Sequence, residues 1–545
     1  MLTAPRAAIE AALLAALRAC GIEDAPPIEL VRPRNADHGD YSSSVAMKLA
    51  SRLGQSPVEI AQRLAPLVEC EEASCEVMGA YLNLRLRPSW LWRLVGEVGQ
   101  GSEWGRSDLG RGQRVQVEFA SVNPTGPLHI GHGRGVILGD ALCRLLDYTG
   151  HRVEREYYVN DQNTQARRFG ASIYARLIGQ DPPEGGYAGD YVGELAELAR
   201  LSLPGVETWP AERAEVELRR FGIEQMVSRL SASVARVGVH YDSWLYESAL
   251  WAEGLPQAAI ERLRSGGHLK QDQGAIWFSP EVPGWEDADE DRVVIRSSGE
   301  PTYFASDLGY LLSKFERRAF ERGVVVWGSD HHGYVTRIKA AMAALGLDPA
   351  RLKVILNQLV HLKEGKMSKR QGRFVTLDDL VDRVGKDAVR YFYLLRSPDA
   401  MMEFDLELAS SQGVDNPVYY AQYAHARLAN VEVTAGERHP DLPPTPDLSL
   451  LTQGREIGLA RQIALWPDAV ETAALALEPH RIPYYVHDLA DAVHGFYHSG
   501  NEDARLRVVV DDPQLTRARL ELCRAARSTL AAALSLIGVD APERM

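Results

Sequence analysis

The sequence predicts an α/β protein built on a doubly wound parallel sheet, with a small α+β domain before it and an all-α bundle after it. Three observations support this prediction. Strand-like runs alternate with helical segments from about residue 112 to residue 400. A glycine-rich turn follows the first of those strands, and strand patterns end after about residue 400. The length of 545 residues allows several domains of about 100 to 200 residues each.

The first predicted domain covers residues 1–100. The opening "MLTAPRAAIEAALLAALRACG" could be taken for a signal sequence, but Glu10 interrupts its apolar part and Gly21 closes it as a helix. A cytoplasmic location is therefore expected. The strand-like "AYLNLRLRP" follows, and a glycine-rich stretch then marks a linker.

Composition excludes several classes of protein. No run approaches the roughly 20 apolar residues of a membrane span, and the net charge of −14 does not suit coating of nucleic acid by bulk attraction. The five cysteines include no CxxC pair, so neither a disulfide framework nor a zinc site is expected. One stretch, His361 to Arg373, is locally basic. By itself it would suit a solvated loop.

The middle domain, predicted over residues 112–400, opens with "RVQVEFAS", in which Val115, Val117 and Phe119 share one face of a strand. The turn "SVNPTGPLHIGHGRG" and an amphipathic helix ending before Gly150 come next. Strand, glycine-rich turn and helix form a nucleotide-binding, Rossmann-like unit. Later strands are predicted at "REYYVND", "RGVVVWGSD" and "LKVILNQLVHL", and a mostly helical insertion at about 180–290.

Histidines at positions 129 and 132 dominate the turn. A helix N-terminus attracts phosphate, histidine can donate to it whether neutral or cationic, and Gly126, Gly131 and Gly133 would let a nucleotide approach the backbone. A metal site is a weaker interpretation, because no cysteine cluster supplies further ligands. From this turn alone, incidental surface histidines stay equally open.

A second motif, "KMSK" at Lys366 to Lys369, changes this balance. "HIGH" followed by "KMSK" on a doubly wound sheet resembles the class I aminoacyl-tRNA synthetases. Further blocks resemble the arginyl-tRNA synthetases over nearly the whole chain: "NADHGDYSSSVAMKLA", "VEFASVNPTGPLHIGH", "YYVNDQNTQ", "TYFASDLGY", "WGSDHHGY", "KMSKRQGRFVTLDDL", "NPVYYAQYAHAR" and "APERM". The chain departs from the family at Asn163, where glycine is common and asparagine tolerates left-handed angles, and at Gln371 and Arg373.

The resemblance implies activation of L-arginine by ATP with Mg²⁺, followed by transfer of arginine to the terminal ribose of tRNA(Arg). It implies catalytic roles for His129, His132, Lys366 and Lys369, and ATP contacts from Gly126, Leu128, His129, Gly131, His132, Lys366, Met367, Ser368 and Lys369. Arginine contacts are implied for Glu118, Asn123, Tyr303, Asp307 and His331, and tRNA contacts for Tyr419, Tyr423 and Arg427. A monomer without a structural metal or a membrane partner is expected.

Substrate chemistry supports the same choice. The guanidinium of arginine carries five donors and a permanent charge, so a selective pocket needs carboxylates. Glu118 near the end of the first strand and Asp307, which shares a helix face with Tyr303, are the candidates. Asp307 could otherwise be an ordinary exposed helix carboxylate. The adjacent histidines of "SDHHG" would diverge and rarely ligate one ion. Their place after a predicted strand and the matching family segment imply that they line the adenosine or arginine pocket.

The last domain, residues 401–545, is predicted to be an α-helical anticodon-binding bundle. Its tyrosines in "NPVYYAQYAHARLANV" could stack on unpaired bases, although such stripes are more often core. Two other functions remain as alternatives. An adenylate-forming ligase that does not use tRNA should lack this bundle, and a silent RNA-binding paralogue should have lost motif residues that are intact here.

Overall fold

The computed structural model describes residues 4–33, 35–101, 103–279, 285, 291–363 and 375–545. The chain divides into two compact units. One contains Met1–Ser107, Gln412–Ala476 and Arg481–Met545, and the other contains Asp108–Ser411 with Leu477–His480. The first and last predicted domains therefore belong to one unit, which the sequence did not indicate.

The N-terminal segment is α+β, as predicted. Its helices are α1 (Pro5–Ala19), α2 (Val45–Leu53), α3 (Pro57–Leu64) and α4 (Pro88–Gly99), and its strands are β1 (Leu30–Val31), β2 (Tyr41–Ser43), β3 (Ala73–Met78) and β4 (Tyr81–Leu86). The strands form an antiparallel sheet in the order β1-β2-β4-β3. Beyond α4, the indole of Trp104 packs against Trp90 and donates a hydrogen bond to the carbonyl of Ile463, in the bundle portion of the same unit.

The second unit carries the predicted parallel sheet. Its first half contains β5 (Arg114–Phe119), α5 (Ile130–Tyr148), β6 (Arg152–Val159), α6 (Thr164–Leu177), α7 (Asp190–Ser202), α8 (Ala211–Arg236), β7 (Ser243–Tyr246), α9 (Glu247–Ala252) and α10 (Leu255–Ser265). The hairpin partners β8 (Leu269–Asp272) and β9 (Ala275–Phe278) follow, then β10 (Arg292–Ile295).

The second half of this unit begins with α11 (Tyr303–Leu312), which continues into a π-helical turn at Ser313–Arg317. It goes on with β11 (Arg322–Gly328), α12 (His332–Ala344), β12 (Leu352–Asn357), β13 (Val360–Leu362), α13 (Leu377–Tyr393), β14 (Met402–Phe404) and α14 (Leu406–Ser410). Five strands pair in parallel in the order β12-β11-β5-β6-β7. The doubly wound prediction is confirmed.

Three details correct the prediction. The edge strand β7 belongs to the parallel sheet, so the sheet continues inside the expected insertion at 180–290. The same stretch also contains the hairpin of β8 and β9, which turns at Gln273 and Gly274, both with positive φ, and forms an antiparallel sheet with β10 beyond it. Finally, β14 pairs with β13, so the segment after residue 401 begins with a strand rather than a helix.

The helix α5 packs closely on the centre of the sheet and is buried around most of its circumference. A Cβ added at Gly139 would lie 2.0 Å from Phe119 Cγ, so glycine is required for this approach. Both faces of β5 are buried too, as expected for a sheet covered on both sides. Helix α5 was predicted to be amphipathic, but its outer face is covered by α13, with which it packs.

The C-terminal helices are α15 (Pro417–Arg438), α16 (Gly454–Ala464), α17 (Trp466–Ala476), α18 (Arg481–Glu502) and α19 (Pro513–Leu536). Helices α15, α16, α18 and α19 pack on one another, and α17 packs on α16 and α18. Among the residues that the structure describes, no helix is long and apolar enough to cross a bilayer.

Candidate active site

A cavity of about 1460 Å³ lies at the carboxyl ends of β5, β6 and β11. Ligands of open α/β sheets bind at this edge. The predicted residues that line the cavity are Glu118, Asn123, Gly126, His129, Gly131, His132, Tyr303, Asp307 and His331. The structure therefore brings together positions that are spread over more than 200 residues of sequence.

Other predicted contacts do not line this cavity. Leu128 is buried, and its carbonyl accepts a hydrogen bond from the Leu377 N–H at 2.8 Å. The "KMSK" residues Lys366, Met367, Ser368 and Lys369 lie outside the described residues, as do Gln371 and Arg373. The described chain resumes at Val375, whose carbonyl accepts from the Ile130 N–H at the start of α5.

The two histidines of the turn form the first turn of α5. His129 is the N-cap and its Nδ1 accepts from the Gly131 N–H at 3.1 Å. His132 Nδ1 in turn accepts from the His129 N–H at 3.4 Å, and the rings stack with centroids 3.4 Å apart. Because both Nδ1 atoms accept, both imidazoles carry their proton on Nε2.

Burial also fixes the charge of this pair. Burial lowers the pKa of His129, and burial together with the neighbouring His129 lowers the pKa of His132 to about 3. Both rings are neutral near pH 7. The sequence left open whether these histidines are neutral or cationic, and the structure favours neutral imidazoles that donate through Nε2.

The glycines of the turn serve different purposes. Gly126 and Gly131 line the cavity. Gly133 does not line it: an added Cβ there would lie 2.9 Å from Leu377 and 3.1 Å from the Tyr393 hydroxyl. Its role is close packing of α5 on α13, which corrects the expectation that it admits a nucleotide.

Asn123 is held by amide side chains. It accepts a hydrogen bond from Asn163 Nδ2 at 2.7 Å and donates one to Gln165 at 2.7 Å. Asn163 has a φ of −76° and caps α6 by accepting from the Ala166 N–H. The left-handed geometry considered for Asn163 is therefore wrong, because the residue acts as an N-cap, a role that asparagine favours.

The two predicted carboxylates have different environments. Glu118 is buried, and its Oε2 pairs with the Nζ of Lys314 at 2.6 Å. Asp307 lies between buried and exposed, and its Oδ2 accepts a hydrogen bond from the Tyr334 hydroxyl. Burial raises the pKa of Asp307 to about 7. The Tyr334 hydrogen bond and Lys314 lower this pKa, whereas Glu247 and Glu118 raise it further. Tyr303, at the start of the same helix, is 48% exposed.

Three residues that line the cavity were not predicted from the sequence: Lys314, Tyr334 and Tyr158. Glu247, which is not part of the lining, was not predicted either. Glu247 is buried at the start of α9, its Oε1 accepts from the Ser306 hydroxyl at 2.5 Å, and its Oε2 has no hydrogen-bond partner among the described residues. Burial raises the pKa of Glu247. The buried hydroxyl of Tyr158 also lacks a described partner. Only the position of Glu247 directly after β7 could have drawn attention to it.

His331 lines the cavity next to Trp327, with ring centroids 5.9 Å apart. The adjacent His332 begins α12 and is absent from the lining. Over the part of the chain that the structure describes, no group of three His, Cys, Asp or Glu residues is arranged to hold a metal ion.

In the other unit, the predicted tRNA contacts lie together on α15. The rings of Tyr419 and Tyr423 stack at 6.0 Å, and the Arg427 guanidinium lies 4.5 Å from the ring centres of both Tyr423 and Tyr497. All three predicted residues are neither buried nor fully exposed. A partly exposed ladder of aromatic rings and a guanidinium suits stacking on bases.

Comparison with known proteins decides the family. The model for the class I (R) tRNA synthetase catalytic domain matches residues 99–177 and 217–432, more than half of the chain. The arginyl tRNA synthetase N-terminal domain matches residues 6–86, and the DALR anticodon binding domain matches residues 421–545. The chain belongs to the arginyl-tRNA synthetase family.

Full-length relatives agree with this assignment. An arginine–tRNA ligase of Moorella thermoacetica is 42% identical, with 96% of this chain and 95% of that protein covered. The arginine–tRNA ligase of Desulforudis audaxviator is 41% identical over the whole of both chains. The arginyl-tRNA synthetase of Thermus thermophilus has the same fold, with a TM-score of 0.81, 26% identity and complete coverage of both chains.

Proposed function

We propose that this chain catalyses arginine–tRNA ligation at the cavity described above. The arginine carboxylate attacks the α-phosphorus of ATP, which forms arginyl-adenylate and releases pyrophosphate. The terminal ribose hydroxyl of tRNA(Arg) then attacks the arginyl carbonyl and releases AMP. No enzyme nucleophile is needed, so the protein contributes positioning and charge stabilisation.

A single observation supports this proposal most strongly. Neutral histidine donors at a helix N-terminus and acidic side chains on α11 and β5 face one cavity at one edge of the sheet. The donors suit a triphosphate, and the carboxylates suit a guanidinium. One bound substrate pair can therefore span the cavity from phosphate to cation.

In this arrangement, the Nε2–H groups of His129 and His132 donate to the phosphates, beside the backbone at Gly126 and Gly131. Asp307 and Glu118 accept from the cationic groups of arginine, and Tyr303, Asn123 and His331 complete that side. These assignments rest on their shared position in the cavity lining. Lys366 and Lys369 neutralise charge on the departing pyrophosphate, an assignment that rests on the sequence motif.

Mg²⁺ is proposed to enter with ATP. The described residues provide no preformed cluster of carboxylates or histidines for the ion. A magnesium ion held mainly by phosphates and water suits its usual coordination. When bound, the ion would neutralise phosphate charge.

The remaining proposals concern the domain boundaries, the oligomeric state and the cellular location. The boundaries 1–100, 112–400 and 401–545 are proposed as the tRNA-contacting, catalytic and anticodon-binding regions, with Tyr419, Tyr423 and Arg427 contacting tRNA. A cytoplasmic monomer is proposed from the sequence alone, since Glu10 interrupts the apolar part of the opening segment.

Charging assays test the proposal directly. Transcribed tRNA(Arg) is incubated with the protein, ATP, Mg²⁺ and each of the proteinogenic amino acids separately. Arginine alone should be esterified to the tRNA. Charging with a different amino acid, or adenylate formation that never leads to charged tRNA, would refute the proposal.

A further inference from the structure

Lys314 occupies an unusual place in the backbone. Helix α11 does not stop at Leu312 but widens into the π-helical turn Ser313–Arg317. Such turns are rare and often occur at functional sites. The second residue of this turn, Lys314, has a fully buried side chain, which is exceptional for lysine.

The ammonium of Lys314 is held by two groups. It lies 2.6 Å from Glu118 Oε2, with the lysine side chain 4% exposed and the glutamate side chain 8% exposed. It also lies 3.9 Å from the centre of the Tyr310 ring, within range of a cation–π contact. A buried ion pair gives little net stability compared with apolar residues. Its presence beside a binding cavity therefore calls for a role other than stability.

A second ion pair of the same kind lies behind the first. Glu118 on β5 is in register with Glu156 on β6. Each of these glutamates forms an ion pair with a basic residue from the segment after α11. Arg318 pairs with the fully buried Glu156, while Lys314 pairs with Glu118. Only Glu118 and Lys314 line the cavity; Glu156 and Arg318 do not.

The two oxygens of Glu118 are used unequally. Oε2 accepts from Lys314, whereas no described residue donates a hydrogen bond to Oε1. A carboxylate fixed through one oxygen retains acceptor capacity on the other. Glu118 can therefore meet a cationic ligand in a geometry that the lysine sets before the ligand arrives.

We infer that Lys314 is a positioning residue for arginine binding, which holds Glu118 through Oε2 and so presents Oε1 to a cationic group of the substrate. The inference rests on the proposed placement of arginine in this cavity. Lys314 acts through Glu118 and does not itself touch arginine. Preorganised carboxylates bind a cation at lower entropic cost than mobile ones.

A double-mutant cycle tests this inference. Lys314→Met, Glu118→Gln and the double variant are compared in tRNA charging, with KM measured for arginine and for ATP. Each single variant should raise the arginine KM by about 10-fold to 100-fold, the effect of losing a hydrogen bond to a charged group. The ATP KM should change by less than about twofold. In the Glu118→Gln background, Lys314→Met should add almost nothing.

Arg318→Met is the matched control, because it breaks the second buried pair without removing a residue that lines the cavity. It should lower the Tm, as is expected of Lys314→Met too, and leave the arginine KM near the wild-type value. Lys314→Arg restores a cation and should recover part of the arginine affinity, which also covers failure of Lys314→Met to fold. Wild-type protein that cannot charge tRNA with arginine would refute the proposed function instead.

Two results would overturn the inference. Effects of Lys314→Met and Glu118→Gln that multiply in the double variant would show that the lysine acts independently of Glu118. Equal rises of the arginine and ATP KM values in Lys314→Met, matched by Arg318→Met, would show a structural role only.

Discussion

Arginine affinity should depend on pH through Asp307. Burial raises the pKa of this carboxyl from 3.8 to about 7, so near pH 7 only about half of the arginine-free molecules carry a charge there. The neighbours that act on it are Tyr334, Glu247, Glu118 and Lys314. A guanidinium or ammonium beside Asp307 favours the ionised form, so arginine binding should expel the proton.

The size of the effect follows from the pKa. If arginine binds only the ionised carboxylate, its Kd is multiplied by about 11 at pH 6 and by about 1.1 at pH 8. Titration calorimetry from pH 6 to pH 8 should therefore show about a tenfold gain in affinity. At pH 7, buffers of different ionisation enthalpy should reveal release of about half a proton per arginine.

Asp307→Asn is the matched variant, because it keeps the shape of the side chain and cannot ionise. It should lose the pH dependence and weaken arginine binding by about 10-fold to 150-fold, with a smaller change in the ATP KM. Because folding raises the pKa of Asp307 from 3.8 to about 7, this carboxyl contributes stability at low pH. That stability is lost as the pH rises from about 4 to 7. The arginine-free variant should therefore have a higher Tm than the wild type at pH 8. Equal wild-type affinities at pH 6 and pH 8 would refute this account.

Three further experiments test other parts of the molecule. Lys369→Ala should lower kcat for charging by about 10²-fold to 10³-fold with little change in the arginine KM, because the lysine charge stabilises the transition state. An unaltered kcat would show that "KMSK" is a solvated loop without a catalytic role. Gly139→Ala should cost about 1 to 3 kcal/mol of stability in urea denaturation, since its Cβ would overlap Phe119. Gly193→Ala in α7, with open space around it, should instead be neutral or stabilising. Asn163→Ala should lower the free energy of unfolding by about 0.5 to 2 kcal/mol, because the N-cap of α6 is lost, and should raise the arginine KM. Asn163→Asp should keep the cap and still raise the arginine KM. A normal arginine KM in both variants would exclude a role of Asn163 in holding Asn123.

The architecture was predictable because strand and helix periodicities are local. Val115, Val117 and Phe119 identify β5, and the turn before α5 identifies the binding edge. The hairpin of β8 and β9 was missed because β8, "LKQD", is short, polar and largely exposed. The brief β14 was missed because it becomes a strand only by pairing with β13.

The site was predictable only where motifs carry it. His129, Asp307 and Glu118 were found from the turn and from the family resemblance. The partner of Glu118 is 196 positions away in the sequence, and no periodicity connects the two residues. The pKa of Asp307 is also beyond sequence analysis, since it depends on burial by side chains from several elements.

The central claim is that one cavity holds the guanidinium of arginine at the acidic side and ATP at the histidine side. A crystal structure with a non-hydrolysable arginyl-adenylate analogue tests it most directly. The account predicts the guanidinium or ammonium of the ligand within hydrogen-bonding distance of Asp307, and the phosphate mimic beside the Nε2 atoms of His129 and His132. A ligand bound in the opposite direction, or outside this cavity, would contradict the account.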